Sequence, residues 1–557
     1  TAFGGATCGT GIYLADGAGV SGGTITVTNN SSNANIGVYY TGANTKTANH
    51  SADIILAGTN REVGIYANGG IKVTNTENIT DNTINGSVGV LVSGGSTYTA
   101  TGNFNRTTPG ASVGYFVNNG TADNNGTINL TGAGATAAGM VAEGTTSSTA
   151  IVKNSSVITA DNAVGMAVLT GAGTSTGINT GTINVTTGTG VFVKGTNAGF
   201  NGAGGTINLT GAGTGIVLDG TGAGKITNAG TIGLTSNSVG VYGDNAKIDF
   251  PVTISGVSGT GIYAENGSVV SGTIDAGNSK DTVAVYLADN TASVNGAVIT
   301  AGGVTSTSSI GLYLGGTALN HTVGNSTINA PTSGTIGILT DNGNTINYSS
   351  TTNVGTGAIG MYLKGAGTTL NANAGTINIT GTGIGVLVDT GATANLGTSG
   401  NLTVNFNGGG GILSFNNGGT VNLGASIVIG SGTGTLAATK NGTLSNSGTI
   451  TIGNGSAGLL GVYDAAGIYN VTNMPTGVIN VQAGGLGLVA TGTAATVTVK
   501  NDNLINVSGK DAVGMYADLG TVDNAGSINV TNGGIGIYVT GTGNIGTVGS
   551  LNGTNGV

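Results

Sequence analysis

Few side chains in this sequence can do acid–base, nucleophilic or metal chemistry. Of 557 residues, 22 are Asp or Glu, 13 are Lys or Arg, two are His and one is Cys. The histidines, His50 and His321, stand 271 residues apart, and the lone thiol is Cys8. Glycan hydrolysis needs two carboxyl groups roughly 5 to 9 Å apart, and the acids here are spread along the chain with basic residues sparser still. No G-x-S-x-G elbow, P-loop or H-E-x-x-H occurs, and Gly-rich words that recur throughout are not phosphate loops. The composition therefore points away from an enzyme, and no catalytic residue is assigned.

Two residue types nevertheless gather in columns. Eleven of the 16 tyrosines, Tyr13, Tyr39, Tyr66, Tyr463, Tyr516 and Tyr538 among them, fall two residues after the glycine of a recurring word, and Phe116 and Phe192 take the same place. Stacked in register, such residues form either a structural ladder or an exposed stripe that binds a partner or a glycan. Tyr242, Tyr263, Tyr286, Tyr313 and Tyr362 are the candidate stripe. Seven of the 22 acids, Glu143, Asp219, Asp244, Glu265, Asp341, Asp389 and Asp518, fall four residues after the glycine, with Lys194 and Lys364. This column reads as a solvated strand exit where Asp accepts turn geometry. A calcium stripe is the alternative, but that ion wants six or more oxygens, and only Asp219, Asp244 and Glu265 come from three successive copies. No metal or other cofactor is expected.

The elements that position these columns come from the repeat itself. Gly followed by three mostly apolar residues recurs 22 times between Gly11 and Gly536, with GILS at Gly411, a weak GTLA at Gly434 and GVYD at Gly461 included. Those 525 residues give a mean period of 25.0, with gaps of 21 to 27. Between the copies a second word appears, as GTINV at Gly181 and GTINI at Gly375. Its alternation places Ile and Val on one face and Thr and Asn on the other, which is a half-buried strand. Each period holds two clear strands and a third weaker one, separated by Gly, Asn, Thr and Asp turns. Units of this size cannot bury an apolar face alone, and stacking them encloses a continuous core. The expected fold is all-β, a right-handed parallel β-helix (a solenoid) of about 22 coils, continuous over residues 1–557. The position after the glycine, aliphatic or Met in 20 of 22 copies, points inward, and the tyrosine position points outward.

Glycine supplies 112 residues and charged residues only 6%, while 38% are hydrophobic. Collagen periodicity is absent, and this balance differs from the charge-rich, apolar-poor profile of disorder. The net charge of −9 gives no basic footprint for nucleic acid. Four stretches depart from the consensus and are candidate surface loops: 43–62, 97–110, 243–251 and 463–475. Arg61 in the first, and Tyr98, Phe104 and Arg106 in the second, are the candidate binding contacts there, because an aromatic beside a lone Arg suits a sugar or a peptide.

The runs GTINVTTGTGVFVKGTNAGF (181–200), NAGTINITGTGIGVLVDTGA (373–392) and DNAGSINVTNGGIGIYVTGTG (523–543) resemble the passenger repeats of large fusobacterial autotransporter adhesins. The resemblance covers essentially the whole chain. It implies a type V secreted, extracellular passenger segment on the outer membrane of a Gram-negative bacterium, exported through a C-terminal outer-membrane barrel of the same full-length chain. It also implies attachment to a host-cell receptor or glycan, or coaggregation through the surface of a partner bacterium. With neither signal peptide nor barrel strands, the sequence reads as a segment of a longer passenger. A purely structural spacer or filament without ligand is the alternative, and a polysaccharide lyase or hydrolase a remote third.

Overall fold

A computed structural model describes residues 9–554, apart from 30–33, 60, 85, 221–224, 304–307, 425, 464–468 and 493–496. Cys8 lies outside the described residues. The described chain is all-β with no helix, a parallel β-solenoid of about 21 turns with a period near 25 residues. The 22 copies of the glycine word bound 21 intervals, so sequence period and structural turn coincide. The strands fall into two compact units, Thr1–Thr273 and Ile274–Val557.

Three strand rows build the coil, each a separate strand through most of the first unit. In one coil they are Ser87–Val92, Ser96–Ala100 and Phe104–Arg106. Each pairs in parallel with its counterpart one coil later, as Val90↔Tyr115, Tyr98↔Ala122 and Phe104↔Ile128 show. In some coils neighbouring rows fuse, giving the 10-residue strand Thr47–Leu56 in the first unit and the 11-residue strand Asn320–Ala330 and 13-residue strand Gly411–Leu423 in the second. The third strand that the sequence showed only weakly is therefore a regular part of the coil.

Alternation decides what is buried. In the strand Thr376–Thr380, Ile377 and Ile379 face the core while Thr376 and Asn378 face outward. The outward asparagines form a ladder: Asn353 donates to Asn329 at 2.8 Å, Asn378 to Asn353 at 2.7 Å and Asn405 to Asn378 at 2.7 Å. A second asparagine ladder lies inside, where the second row turns into the third. There Asn124 donates to Asn154 at 2.9 Å and Asn154 to Asn179 at 2.8 Å. Each amide supplies the donor its neighbour needs, which is what makes buried polar side chains tolerable. These ladders stand where most proteins would use charge.

The glycine that opens the first strand is fixed by close approach. A Cβ at Gly89 would sit 2.7 Å from the Gly114 carbonyl oxygen and 2.6 Å from the Phe104 ring. One coil after another repeats this contact, as at Gly165 against Gly190.

Three word assignments shift in register. Val386 pairs with Ser414 and Leu387 with Phe415, so the copy aligned at Gly411 begins at Leu413. Ser414 in turn pairs with Ala437, and Ala437 with Leu459, so the copies assigned to Gly434 and Gly461 begin at Leu436 and Gly458. Tyr463 consequently pairs with Gly492 and leaves the tyrosine column, while Phe415 joins it. At the first two the cause is the missing glycine at Leu413 and Leu436, which lets nearby glycines imitate the word; at the third, Gly458 and Gly461 each precede apolar residues and offer the same word.

Candidate functional site

The outward aromatic column follows from strand alternation. In Val239–Asp244, Val241 and Gly243 face inward and Tyr242 faces out. Parallel register then sets Tyr242 beside Tyr263, with ring centroids 5.7 Å apart and planes 18° apart. Tyr39 stacks on Tyr66 at 4.8 Å, also at 18°. Other pairs tilt, as Tyr286 does on Tyr313 at 5.1 Å and 62°. Ring pairs at such separations add about 0.5–1.5 kcal/mol beyond their buried area. Tyr242, Tyr263, Tyr286, Tyr313 and Tyr362 are all half-buried.

The phenol oxygens reach the acidic column of the following coil. Tyr242 donates to Glu265, Tyr313 to Asp341 at 3.1 Å and Tyr362 to Asp389 at 3.1 Å. Where that position is not acidic the same reach recurs, and Asn68 donates to the Tyr39 oxygen at 3.1 Å. The two columns that the sequence presents separately are thus one hydrogen-bonded assembly. Burial, and then the Asp341 charge, push Tyr313 up to about 12. At Tyr242 the bond to Glu265 acts first and burial second, again upward. The sequence carried this signal as an offset: a tyrosine at the third place of one copy and an acid at the fifth place of the next.

Between Leu91 and Val217 the column has no phenol. Its members there include Leu91, Phe116, Val141 and Ala167, in register through Leu91↔Phe116, Phe116↔Val141 and Val141↔Ala167. Val141 and Ala167 are buried although they lie on the outward face, with Val113, Phe116, Val164 and Leu169 packed about them. Phe116 borders two clefts. The larger, about 390 Å³, is lined by Asn118, Glu143, Gly144, Thr145 and Thr146; the smaller, about 210 Å³, by Ser87, Val88, Leu91, Ser112 and Val113.

A buried ion pair braces the smaller cleft. Arg106 Nη1 lies 2.6 Å from Asp81 Oδ2, and both side chains are wholly buried. Arg106 also donates to the Thr83 hydroxyl at 3.2 Å and, through Nη2, to the Thr83 carbonyl at 3.1 Å. Ser87 donates to Asp81 at 2.7 Å and bonds to Ser112 at 2.7 Å, and these two serines line the cleft. Asp81 and Arg106 are 25 residues apart, one period, which was the available signal that they meet.

This placement corrects the reading of residues 97–110 as a contact loop. Tyr98, Phe104 and Arg106 are fully buried and unavailable to an external sugar or peptide. The polar residues around them alternate outward, as Thr97 and Thr99 flank Tyr98 and Asn105 separates Phe104 from Arg106. Tyr98 instead accepts a hydrogen bond from Asn75 at 2.9 Å and packs edge-on against Tyr115. Arg61 is exposed, in left-handed backbone with φ 51°, at the turn before Glu62–Asn68. In 43–62 the strand Thr47–Leu56 turns His50 inward, between the Tyr40 hydroxyl at 2.8 Å and the Ala52 carbonyl at 2.8 Å. Burial lowers the His50 pKa, as it does for His321. Residues 243–251 hold an exposed Lys247–Asp249 pair at 2.7 Å. Within 463–475, residues 464–468 lie outside the described residues.

The acids of the candidate calcium run have protein partners. Lys194 pairs with Asp219 at 2.7 Å, Asn266 donates to Asp244 at 2.9 Å and Tyr242 donates to Glu265. Among the described residues no three His, Cys, Asp or Glu come together as a metal-holding group. The chain matches no protein-family model and no curated protein.

Proposed function

We propose that this chain is a passenger segment of a bacterial surface adhesin, a stalk that also presents a binding face to host cells or partner bacteria. The observation that carries this reading is the outward face of the first strand row, where half-buried aromatic rings recur in runs of successive coils, as Tyr242, Tyr263, Tyr286 and Tyr313 do, and two clefts open around Phe116. Solvent-facing aromatic surface of this kind serves recognition in proteins generally. A parallel solenoid suits a stalk, because each coil supports its neighbours and binding residues can change without disturbing the core. Export through a C-terminal barrel and a place on the outer membrane belong to the same proposal, as does the lack of a catalytic role.

One observation favours the spacer alternative. The hydroxyls of Tyr242, Tyr313 and Tyr362 are already engaged by acids, which suits a structural ladder. The purified chain, applied at micromolar concentration to host cells and to partner bacteria, separates the two readings. Attachment that falls when Tyr263, Tyr286 and Tyr313 are changed together to Ser supports a binding face. Absence of attachment, or unchanged attachment with a lowered Tm, leaves the column a ladder.

A further inference from the structure

The acidic column contains one exception. Six of its seven members receive a donor from the protein: Asp219 from Lys194, Asp244 from Asn266, Glu265 from Tyr242, Asp341 from Tyr313, Asp389 from Tyr362 and Asp518 from Thr491. The Glu143 carboxylate, at the end of the strand Ala138–Glu143, has no hydrogen-bond or ion-pair partner among the described residues. The donor that the pattern assigns to it would come from the preceding coil's outward aromatic, which is Phe116 and has no hydroxyl. Both residues line the 390 Å³ cleft, so the missing donor is replaced by open space. Asn118, at the same strand position one coil earlier, lines this cleft too, and its Oδ1 is buried without a partner.

We infer that the Phe116–Glu143 cleft receives a lysine or arginine side chain carried on a peptide segment of a partner protein, next to an apolar residue that enters the smaller cleft. The chemistry is complementary at each wall. A half-buried carboxylate without a partner calls for a donor of opposite charge, and charge-assisted bonds are the strong ones. Phe116 lines the cleft, and an aromatic ring there can attract an ammonium or guanidinium by cation–π interaction. The aliphatic stem of a long basic side chain packs on apolar surface while its head stays at the carboxylate. On the other side of Phe116 the smaller cleft presents Val88, Leu91 and Val113, which fit an apolar neighbour. A chain of net charge −9 attracts basic segments over long range.

This inference rests on the adhesion reading in needing a partner outside the chain, and it is tested separately. Calorimetry of the full chain with N-acetyl-leucyl-arginine amide is expected to detect binding. The citrulline counterpart, which keeps the shape and loses the charge, is expected to bind at least about tenfold more weakly. Glu143→Gln produces a loss of the same order. Phe116→Tyr supplies the absent hydroxyl, so it raises Tm and abolishes binding, which separates lost recognition from lost folding. No binding of the arginine peptide at millimolar concentration, equal binding of the citrulline peptide, or unchanged binding by Phe116→Tyr overturns the inference. Agmatine binding as tightly as the peptide overturns its peptide component, leaving a free-cation site. Attachment to cells that survives Phe116→Tyr unaltered keeps the adhesion reading and removes this cleft from it.

Discussion

The coils around Phe116 and the coils around Tyr362 share one backbone plan and differ in how an acid is treated. At Tyr362 a phenol donates to Asp389, which also receives Asn417 Nδ2 at 3.2 Å and the Thr390 amide at 2.9 Å. At Phe116 the corresponding acid, Glu143, is left to a cleft. The first arrangement spends its polar groups on itself and closes the surface. The second leaves a carboxylate and an aromatic ring lining a cleft, and a buried ion pair braces the smaller cleft next to it. Recognition and self-satisfaction thus compete for the same two columns, and between these two coils the difference is one hydroxyl.

The largest test of that contrast lies beneath Phe116. Arg106→Met leaves Asp81 buried and unpaired, and breaking such a pair from one side costs about 3–5 kcal/mol. The loss is expected as a lowered urea midpoint. Because a solenoid couples mainly to its neighbours, amide exchange should quicken over residues 81–117 and stay unchanged over 359–389. Adding Asp81→Leu should restore much of the stability, since an apolar pair of similar volume often replaces an ion pair without loss. Equal quickening in both stretches would mean that the brace is not local to the clefts.

Reciprocal exchange of the two aromatics comes next. Tyr362→Phe removes one donor from Asp389 while two others remain, so a loss of about 1 kcal/mol is expected from thermal or urea unfolding. Phe116→Tyr should change stability in the opposite direction by a similar or smaller amount, because Glu143 gains a donor. If both substitutions destabilise, Glu143 does not stand in the place that Asp389 holds, and the comparison fails.

Much of this fold is legible in the residues, and the reasons are physical. The 25-residue period, the inward Ile and Val and the outward Thr and Asn each follow from a side chain having to stack on its own counterpart one coil later. Legibility stops where a position departs from type. Leu413 and Leu436 stand where the word has glycine, so nearby glycines draw the alignment two residues away. Arg106 and Tyr98 read as surface because charge and hydroxyl groups ordinarily are exposed, yet their partners, Asp81 and Asn75, lie one coil back where the same strand rows bury them. The candidate stripe at Tyr242, Tyr313 and Tyr362 was visible as a column. Its engagement with the acids was not, because that link joins the third place of one copy to the fifth place of the next.

A smaller effect distinguishes the closed stretch by its titration. In the fold Tyr313 is pushed from 10.0 up to about 12 by burial and by Asp341. A raised folded pKa means that the associated stability is complete below pH 10 and is lost as pH climbs through about 12. Asp341→Asn removes the charge and weakens the acceptor, so the phenolate absorbance of Tyr313 should develop at lower pH. Burial remains in that variant, and the midpoint should therefore stay above the ordinary value. His50 runs the other way: its lowered pKa makes the fold lose stability as pH drops below about 6.5, where the unfolded imidazole takes up a proton.

The smallest expected effect comes from a third treatment of the same acid. At Phe192 the column again lacks a phenol, and Lys194 supplies the cation to Asp219 at 2.7 Å. Lys194→Gln would leave Asp219 without that cation, much as Glu143 is, but the surroundings differ. The Lys194 and Asp219 side chains are 59% and 36% exposed, so water can solvate the carboxylate once the lysine is gone. A loss below about 1 kcal/mol is expected, shrinking further in high salt. If the same substitution also created binding of the arginine peptide, any uncapped acid in the column would suffice. If it did not, recognition needs the combination found at the Phe116 stretch: an unpartnered carboxylate, an aromatic ring, and an open, largely apolar cleft beside them.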